Sequence, residues 1–406
     1  MISPSTPTPP ATAATTTPPA TAATAMPVTS TATPTPVTSP APPTTRPTRL
    51  LSLDFMRGLI MVLLALESAG LYEQLTNGTV NTPFYGLLLQ FHHHPWHGLH
   101  LWDLIQPAFM FMAGAAMAFS LHRQQLEGRS WNYSFRKALR RSGWLFFWGV
   151  LDYAVRPGGL SFELWDVLTQ LSFTCLLAFL IFRWSTTAQI AVCAGLLLLT
   201  EAMYRLIHVP GFDQPFTDQH NFGNYVDLLL MNKINSGGWV AINCIPTAVH
   251  TIGGALAGKL LLGTSAHKAR TLVTWGLLAL ILGYTIDLAG ITPIIKRIAT
   301  SSFVLVSLGY SLLVLALFYW WIDLRNHRRY LKFFTIVGMN SIFIYLFFEI
   351  VGDRWFTGYI TTIANGITQP LHPPALLQGV FAALCVFGLE WGLCWFLYRK
   401  KIFLRV

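Results

Sequence analysis

The fold is decided by a stretch of 22 residues that carries no charged side chain, SSFVLVSLGYSLLVLALFYWWI (301–322). A helix of that length crosses the roughly 30 Å of hydrocarbon in a lipid bilayer. Similar stretches recur at 50–71, 102–121, 138–155, 162–182, 188–207, 240–262, 271–289, 332–351 and 375–397. We therefore predict an all-α fold, a polytopic membrane helix bundle of about ten transmembrane helices.

The composition agrees with a membrane protein, since the chain is 53% hydrophobic, 14% aromatic and only 11% charged. Ordinary globular chains carry roughly 25% charged residues, so this chain lacks the polar surface that encloses a soluble core. Its many aromatic residues exclude disorder throughout. The five cysteines form no C-x-x-C pair, and the sequence therefore predicts neither a disulfide framework nor a zinc site.

The N-terminal segment differs sharply from the rest. Residues 1–45 contain no charged residue and consist almost entirely of Thr, Pro, Ala and Ser. Such a segment cannot bury enough apolar surface to offset the entropy lost on ordering. We predict a disordered tail over 1–48 and a single transmembrane domain over 49–406.

Basic residues are divided unequally between the two sets of loops that ten spans would create. One set, which includes both ends of the domain, holds twenty Lys and Arg, and the opposite set holds six: Arg156, Arg205, Lys233, Lys296, Arg297 and Arg354. Loops rich in Lys and Arg normally stay in the cytoplasm. We therefore expect a multi-pass protein of the cell inner (plasma) membrane with both termini cytoplasmic. The net charge of +10 then faces anionic lipids or ligands, and no nucleic acid is expected.

Charged side chains within spans are costly and therefore mark functional candidates. Asp54 and Arg57 lie three residues apart on one helix face, which fits either an ion pair or a substrate contact. Glu67 lies near the outer end of the same helix, where a carboxylate in a cleft suits proton transfer. Glu349 and the polar Asn340 interrupt the ninth apolar stretch.

The densest polar cluster is HHHPWHGLHLWD (92–103), which holds five of the twelve histidines and ends at Asp103. A histidine can transfer protons or act as a nucleophile near neutral pH, and it is also a common metal ligand. Three interpretations stay open: a metal site, interfacial histidines without chemistry, and a catalytic histidine. Metal is the least favoured, because Pro95 disrupts helical spacing and no H-E-x-x-H pattern occurs.

Three blocks resemble the heparan-α-glucosaminide N-acetyltransferase family of transmembrane acyltransferases. They are RLLSLDFMRG (49–58), then HHPWHGL (93–99) followed by Asp103, and finally GMNSI (338–342) together with YRKKIF (398–403). The resemblance extends over nearly the whole domain, which on this basis is acyltransferase-like. It implies transfer of acetyl from cytosolic acetyl-CoA, a co-substrate, to an amino sugar on the far side of the membrane.

The resemblance also assigns residues. The active histidine of the family stands three residues before a tryptophan, which here makes His93 the catalytic candidate beside Trp96 and Asp103. We nominate Asn340 to polarise the thioester, with Glu67 as a second catalytic group and Glu349 in support. Four cations on the basic side could bind the anionic nucleotide of CoA: Arg57, Arg140, Arg141 and Lys332.

The sequence therefore predicts an acyl-CoA-dependent N- or O-acetyltransferase that modifies an amino sugar or envelope glycan on the periplasmic side. The alternative is an amino-sugar (N-acetylglucosamine-type) membrane transporter, in which Glu67, the histidines and Glu349 form a proton path. The expected partners are the lipid bilayer, acyl-CoA and the glycan acceptor. No metal is expected, and the chain could also form a homo-oligomer.

Overall fold

The structure is a computed structural model that describes residues 50–156 and 159–404. The tail predicted over 1–48 lies outside these residues. The described chain is helical throughout and forms no β-strand. Its α-helices are α1 (Leu51–Ser68), α2 (Leu71–Asn77), α3 (Tyr85–Leu88), α4 (Ile105–Leu126), α5 (Trp131–Ala154), α6 (Val167–Leu180), α7 (Thr186–Leu206), α8 (Phe222–Met231), α9 (Cys244–Leu262), α10 (Lys268–Leu288), α11 (Ser301–Phe318), α12 (Leu331–Gly338), α13 (Ser341–Phe347), α14 (Thr357–Thr368) and α15 (Ala375–Arg399).

Short 3₁₀ and π segments extend or join several of these helices. The 3₁₀ turns are Leu89–Phe91, Leu101–Leu104, Ala241–Asn243 and Gln369–Leu371, and the π-helical segments are Tyr319–Leu324 and Phe348–Phe356. The second π segment connects α13 to α14 without a break.

Six helical segments in the described chain are long and apolar enough to cross a membrane, and the number rises to eight if each of two bent pairs is one span. The bent pairs are α1 with α2, at 59°, and α12 with the helix that begins at Ser341, at 71°. Each of the ten predicted ranges overlaps a helix, but ten spans are not confirmed. The range 138–155 belongs to α5, which begins among charged residues, and 162–182 shrinks to the 14 residues of α6.

Glycines allow the closest helix contacts in the bundle. A Cβ added at Gly114 of α4 would overlap the carbonyl oxygen of Thr251 in α9, and one at Gly254 would overlap the carbonyl oxygen of Phe111. Gly258 similarly faces Ala118 across the same interface. Small residues let helix backbones approach closely in membranes, where packing and not hydrophobicity drives association. These glycines therefore allow the close contact between α4 and α9.

Helix α1 passes through the main core. Met61 is fully buried there against side chains of neighbouring helices, including Phe111 of α4 and Ile344 of α13. The first turn of α1 is capped from a distance, because the Asp323 carboxylate accepts hydrogen bonds from the backbone N–H groups of Leu51 and Ser52, both at 3.1 Å. These bonds satisfy donors that a helix start leaves unpaired.

Apolar side chains also cover the outside of the bundle. Ile281 and Leu282 of α10 are exposed, as are Leu377 and Leu384 of α15. Exposed apolar faces on long helices are expected where the solvent is lipid, since lipid chains are as apolar as leucine. The described chain is therefore a multi-pass helix bundle suited to a bilayer.

The histidine-rich segment between α3 and α4 is tied to the loop between α10 and α11. His97 forms an isolated β-bridge with Ile295, and Gly98 donates its N–H to the carbonyl of Ile294 at 2.9 Å. The ring Nε2 of His97 donates to Oδ1 of Asp287 at 2.9 Å. The histidine-rich segment is thereby fixed against the end of α10 and the loop that follows it. The His97–Asp287 pair alone joins positions separated by 190 residues.

Candidate active site

A cavity of about 250 Å³ opens between the histidine-rich segment and the ends of several helices. It is lined by Met61, Leu64, Glu67, His93, Trp102, Ile105, Gln106, Phe109, Tyr153, Arg156, Trp165, Asp166, Val167, Trp239, Lys296, Tyr345 and Glu349. Three residues singled out from the sequence, His93, Glu67 and Glu349, lie together on its wall. A concave site with a few convergent polar groups on an apolar lining is the usual form of a small-molecule site.

Asp103 organises the histidine-rich segment from its buried position just before α4. Its side chain is only 1% exposed. Oδ2 accepts the backbone N–H groups of His94 at 3.2 Å and His100 at 2.9 Å, and Oδ1 lies 3.0 Å from Nδ1 of His93. The His100 ring adds a further constraint by donating from Nδ1 to the carbonyl of His92. The local fold of the segment therefore fixes the position of the His93 ring.

The contact with Asp103 determines which nitrogen of His93 carries the proton. A carboxylate can only accept, so Nδ1 at 3.0 Å must be the donor. In the neutral ring the lone pair is then on Nε2, and the described residues form no hydrogen bond to that atom. Burial holds the pKa of His93 below its usual 6.5, although the hydrogen bond to Asp103 opposes the shift. The ring is therefore neutral at pH 7 and has an available lone pair.

Lys296 completes this side of the cavity, and the sequence analysis did not identify it as a site residue. Its Nζ lies 3.0 Å from Nδ1 of His93 and 3.5 Å from Oδ1 of Asp103. Nζ of Lys296 also lies 5.2 Å from the centroid of the Trp239 indole ring. The same indole forms an edge-to-face contact with the His93 ring. A single carboxylate oxygen thus serves both a histidine and a lysine.

A second polar cluster on the cavity wall is centred on Arg156. Its Nη2 atom lies 2.6 Å from Oδ2 of Asp152 and 3.2 Å from Oε2 of Glu349. Its guanidinium stacks on the ring of Tyr153. Asp152 is fully buried at the end of α5. This group joins α5 to the π segment after α13 and places the Arg156 cation and the Glu349 carboxylate on the cavity.

The neighbouring carboxylate, Asp166, caps α6 and also faces the cavity. Its Oδ1 accepts the N–H of Leu168 at 2.7 Å, and its Oδ2 accepts the hydroxyl of Tyr345 at 2.8 Å. Gln106 of α4 donates to Gln170 of α6 at 2.8 Å beside it. With Glu67 from α1, the cavity therefore has carboxylates from three separate elements.

Two predicted site residues have other contacts. Asn340 is not among the described residues that line the cavity; its Nδ2 donates to the carbonyl of Ile402 and its Oδ1 accepts the N–H of Leu404. The role at the thioester stays a prediction that no contact of Asn340 supports. Trp96 donates from Nε1 to the carbonyl of Phe216 at 2.8 Å and so anchors the histidine-rich segment from outside the cavity.

The predicted CoA-binding cations lie away from the cavity lining. Arg140 and Lys332 are exposed, whereas Arg57 and Arg141 are partly buried. Asp54 and Arg57 lie in the first turns of α1, whose far end carries Glu67. Among the described residues, no group of three His, Cys, Asp or Glu side chains is arranged to hold a metal ion.

Comparison with known proteins gives one distant relative. An alignment of 435 positions is 25% identical to the heparan-alpha-glucosaminide N-acetyltransferase of Homo sapiens and covers 89% of this chain. The chain spans 60% of the length of that human protein. No protein-family model matches the chain. The similarity indicates a distant relationship to an N-acetyltransferase.

Proposed function

We propose that the protein is an integral membrane acyltransferase that moves acetyl from cytosolic acetyl-CoA to an amino sugar or envelope glycan on the periplasmic side. The observation that carries the proposal is the His93 ring, oriented by Asp103 with its free Nε2 at a cavity. The distant similarity to an N-acetyltransferase supports the reaction class.

Two routes fit this geometry. In one, Nε2 of His93 attacks the acetyl carbonyl, the C–S bond breaks, and CoA leaves as thiolate; the acceptor amine then attacks the same carbon, the C–N bond to the imidazole breaks, and the amine proton passes to the released Nε2. In the other, Nε2 takes the proton from the amine as it attacks the thioester directly, and the C–S bond breaks with CoA leaving as thiolate. In both, positive charge develops on the ring, and the Asp103 carboxylate stabilises that charge.

The other cavity residues suit the acceptor. Glu67, Asp166 and Glu349 place carboxylates where an ammonium could bind and lose its proton, and three tryptophans supply flat apolar faces for a sugar ring. The volume of about 250 Å³ is suited to one sugar unit. We therefore propose that only the terminal amino sugar of a glycan enters.

CoA is proposed to bind on the opposite face of the bilayer. Glu67 stands ten residues beyond Arg57 on α1, about 15 Å along the helix axis, and Asp152 stands eleven beyond Arg141 on α5, about 16 Å. In this proposal Arg57, Arg141 and the exposed Arg140 and Lys332 bind the nucleotide phosphates, while the thiol arm reaches toward His93. The proposal also has both termini in the cytoplasm.

The test uses sealed membrane vesicles, radiolabelled acetyl-CoA on the cytoplasmic face and glucosamine on the other. Wild-type protein should form N-acetylglucosamine, and His93→Ala should abolish product. The matched control is His208→Ala, since His208 is exposed and its ring bonds only the nearby carbonyl of Leu206. Full activity in His93→Ala would contradict the proposal.

The rival function is transport of an amino sugar. It is favoured by one observation, that Glu67, His93 and Glu349 lie on one cavity as a proton path requires. Proteoliposomes without CoA distinguish the two functions. Proton-driven uptake of N-acetylglucosamine there, without acetyl transfer in the vesicle assay, would establish the transporter.

A further inference from the structure

Lys296 occupies an unusual position for a lysine. Its side chain is only 7% exposed, and it projects from a tight turn between α10 and α11. The turn is closed by bonds from the N–H of Thr300 to the carbonyl of Ile295 and from the N–H of Ile295 to the hydroxyl of Thr300, at 3.1 and 3.0 Å. Burying an ammonium group costs free energy unless the group is paired. A buried lysine beside a cavity is therefore expected to have a specific role.

Pairing alone does not explain the arrangement. A structural ion pair would give Lys296 its own carboxylate, yet the nearest one, Asp103, already binds His93 through the same oxygen. Nζ lies closer to the His93 ring, at 3.0 Å, than to the carboxylate, at 3.5 Å. Two groups that can each carry a positive charge therefore share one negative charge.

These contacts favour one distribution of charge. If Lys296 donated to Nδ1 of His93, that nitrogen would need a lone pair, which would then also face the Asp103 carboxylate at 3.0 Å. With the proton on Nδ1, both His93 and Lys296 can donate to Oδ1. A protonated, doubly charged pair is disfavoured, because like charges at this distance repel strongly in a buried site.

We propose that Lys296 is a positioning residue for His93, whose ammonium holds the Asp103 carboxylate in place and keeps the imidazole uncharged with its lone pair on Nε2. The proposal rests on the proposed acetyl transfer for its purpose, since either route requires a neutral His93. It assigns Lys296 no contact with the reacting atoms.

The neighbouring positive charges shift the pKa of His93 in the direction that the proposal requires. Burial lowers the pKa of His93 most, and the charges of Lys296 and Arg297 lower it further, against the opposing effect of Asp103. Burial likewise lowers the pKa of Lys296, to about 8, and the carboxylates of Asp103 and Glu67 oppose that shift. Lys296 thus remains largely protonated at pH 7, where its charge acts on the histidine.

The test measures the protonation of His93 without requiring acetyl transfer. Diethyl pyrocarbonate modifies only the unprotonated imidazole, and the His93 side chain, 40% exposed, is accessible to it. The full-length protein in detergent is treated across a range of pH, and modification of His93 is followed by mass spectrometry. The exposed His208 in the same digest is the internal control.

In wild-type protein the midpoint of His93 modification should lie below 6.5. Lys296→Met should raise it by about one pH unit, because a neighbouring positive charge is lost. Lys296→Arg should leave it near the wild-type value, and His208 should not change in any variant. Lys296→Gln serves if the methionine variant does not fold.

An unchanged midpoint in the folded Met or Gln variant would overturn the inference, and so would a wild-type midpoint at or above 6.5. A failure of the proposed acetyl transfer can be distinguished from a failure of this inference. If the shift occurs but vesicles transfer no acetyl group, Lys296 still controls the charge of His93 and only the enzymatic assignment is lost.

Discussion

Arg156 and Glu349 lie 193 residues apart in the chain, and their side chains meet at 3.2 Å on the cavity wall. Arg156 also binds the buried Asp152 one helical turn before it. The pair therefore links the end of α5 to the π segment Phe348–Phe356.

Replacing this arginine should destabilise the protein. Arg156→Met leaves the fully buried Asp152 without its cation, and we expect a loss of about 1–3 kcal/mol, since an unsatisfied buried charged acceptor keeps its full desolvation penalty. The measurement is thermal unfolding in detergent. Arg123→Met is the matched control, because Arg123 pairs with Glu127 at the same helical spacing but on the exposed surface. Its loss should be much smaller, because an exposed ion pair contributes little to stability; equal losses in both variants would contradict the prediction.

Asp103→Asn should impair catalysis far more than folding. The amide keeps the size of the carboxylate but can present N–H to the ring, so His93 can adopt the tautomer with its proton on Nε2. We expect acetyl transfer to fall by about a thousandfold. Unfolding temperature, followed on the same samples, separates this effect from misfolding. Asp213→Asn, in an exposed loop, should retain wild-type activity.

The pH dependence of thioester cleavage follows from the two nitrogen groups beside Asp103. On the route through an acetyl-histidine, CoA release is measured with a thiol reagent and without an amine acceptor, so that the acceptor does not titrate. The rate should rise as His93 loses its proton, with a midpoint below 6.5, because the reactive ring is the neutral one.

The same rate should decline above about pH 8, where Lys296 loses its charge. Arginine stays protonated at all accessible pH values. The rate of the Lys296→Arg variant should therefore still rise with pH as His93 loses its proton, but it should not decline above about pH 8. An acid limb at or above pH 6.5 in wild-type protein, or an alkaline decline that persists in the arginine variant, would contradict the charge distribution described for this site.

The helix contact between α4 and α9 can be tested with a single methyl group. In Gly254→Ala the new Cβ meets the backbone carbonyl of Phe111, which cannot rotate away, and we expect a loss of about 1–3 kcal/mol. Gly195→Ala on α7 meets nothing within 4 Å and should be neutral or slightly stabilising. Retained stability in Gly254→Ala would mean that the two helices can separate at little cost.

Much of the helical plan could be predicted from the sequence, because long runs without charge have few alternatives to a buried or lipid-facing helix. The breaks could not. The bend after Ser68 and the bend at Asn340 occur inside apolar runs that hydropathy treats as continuous. The bend after Ser68 is followed by Gly70 in the left-handed region, at φ 76°, and Asn340 is held by hydrogen bonds between its side-chain amide and the C-terminal segment.

The site was predictable to the extent that it is local in sequence. His93 and Asp103 belong to one short motif, and Glu67 and Glu349 stand out as carboxylates within apolar helices. Lys296 and Arg156 belong to no motif, since their contacts join loops far apart in the chain.

A signal for them existed in the distribution of charge. They belong to the six basic residues of the sparsely basic loops, and in the structure all six have protein partners. Four pair with carboxylates and two donate to backbone carbonyls: Arg156, Arg205, Lys233 and Lys296, then Arg297 and Arg354. Basic residues in loops that otherwise carry few of them are therefore worth examining as site residues.

The separation of His93 and Lys296 by 203 positions affects how the protein is made. At 5–20 residues per second, a ribosome needs roughly 10–40 s to synthesise the chain between them. During that interval His93 has emerged without Lys296. No nascent chain that stops short of residue 296 can form the cluster of His93, Asp103 and Lys296. The reactive centre therefore matures late in biogenesis, after most of the bundle has been inserted.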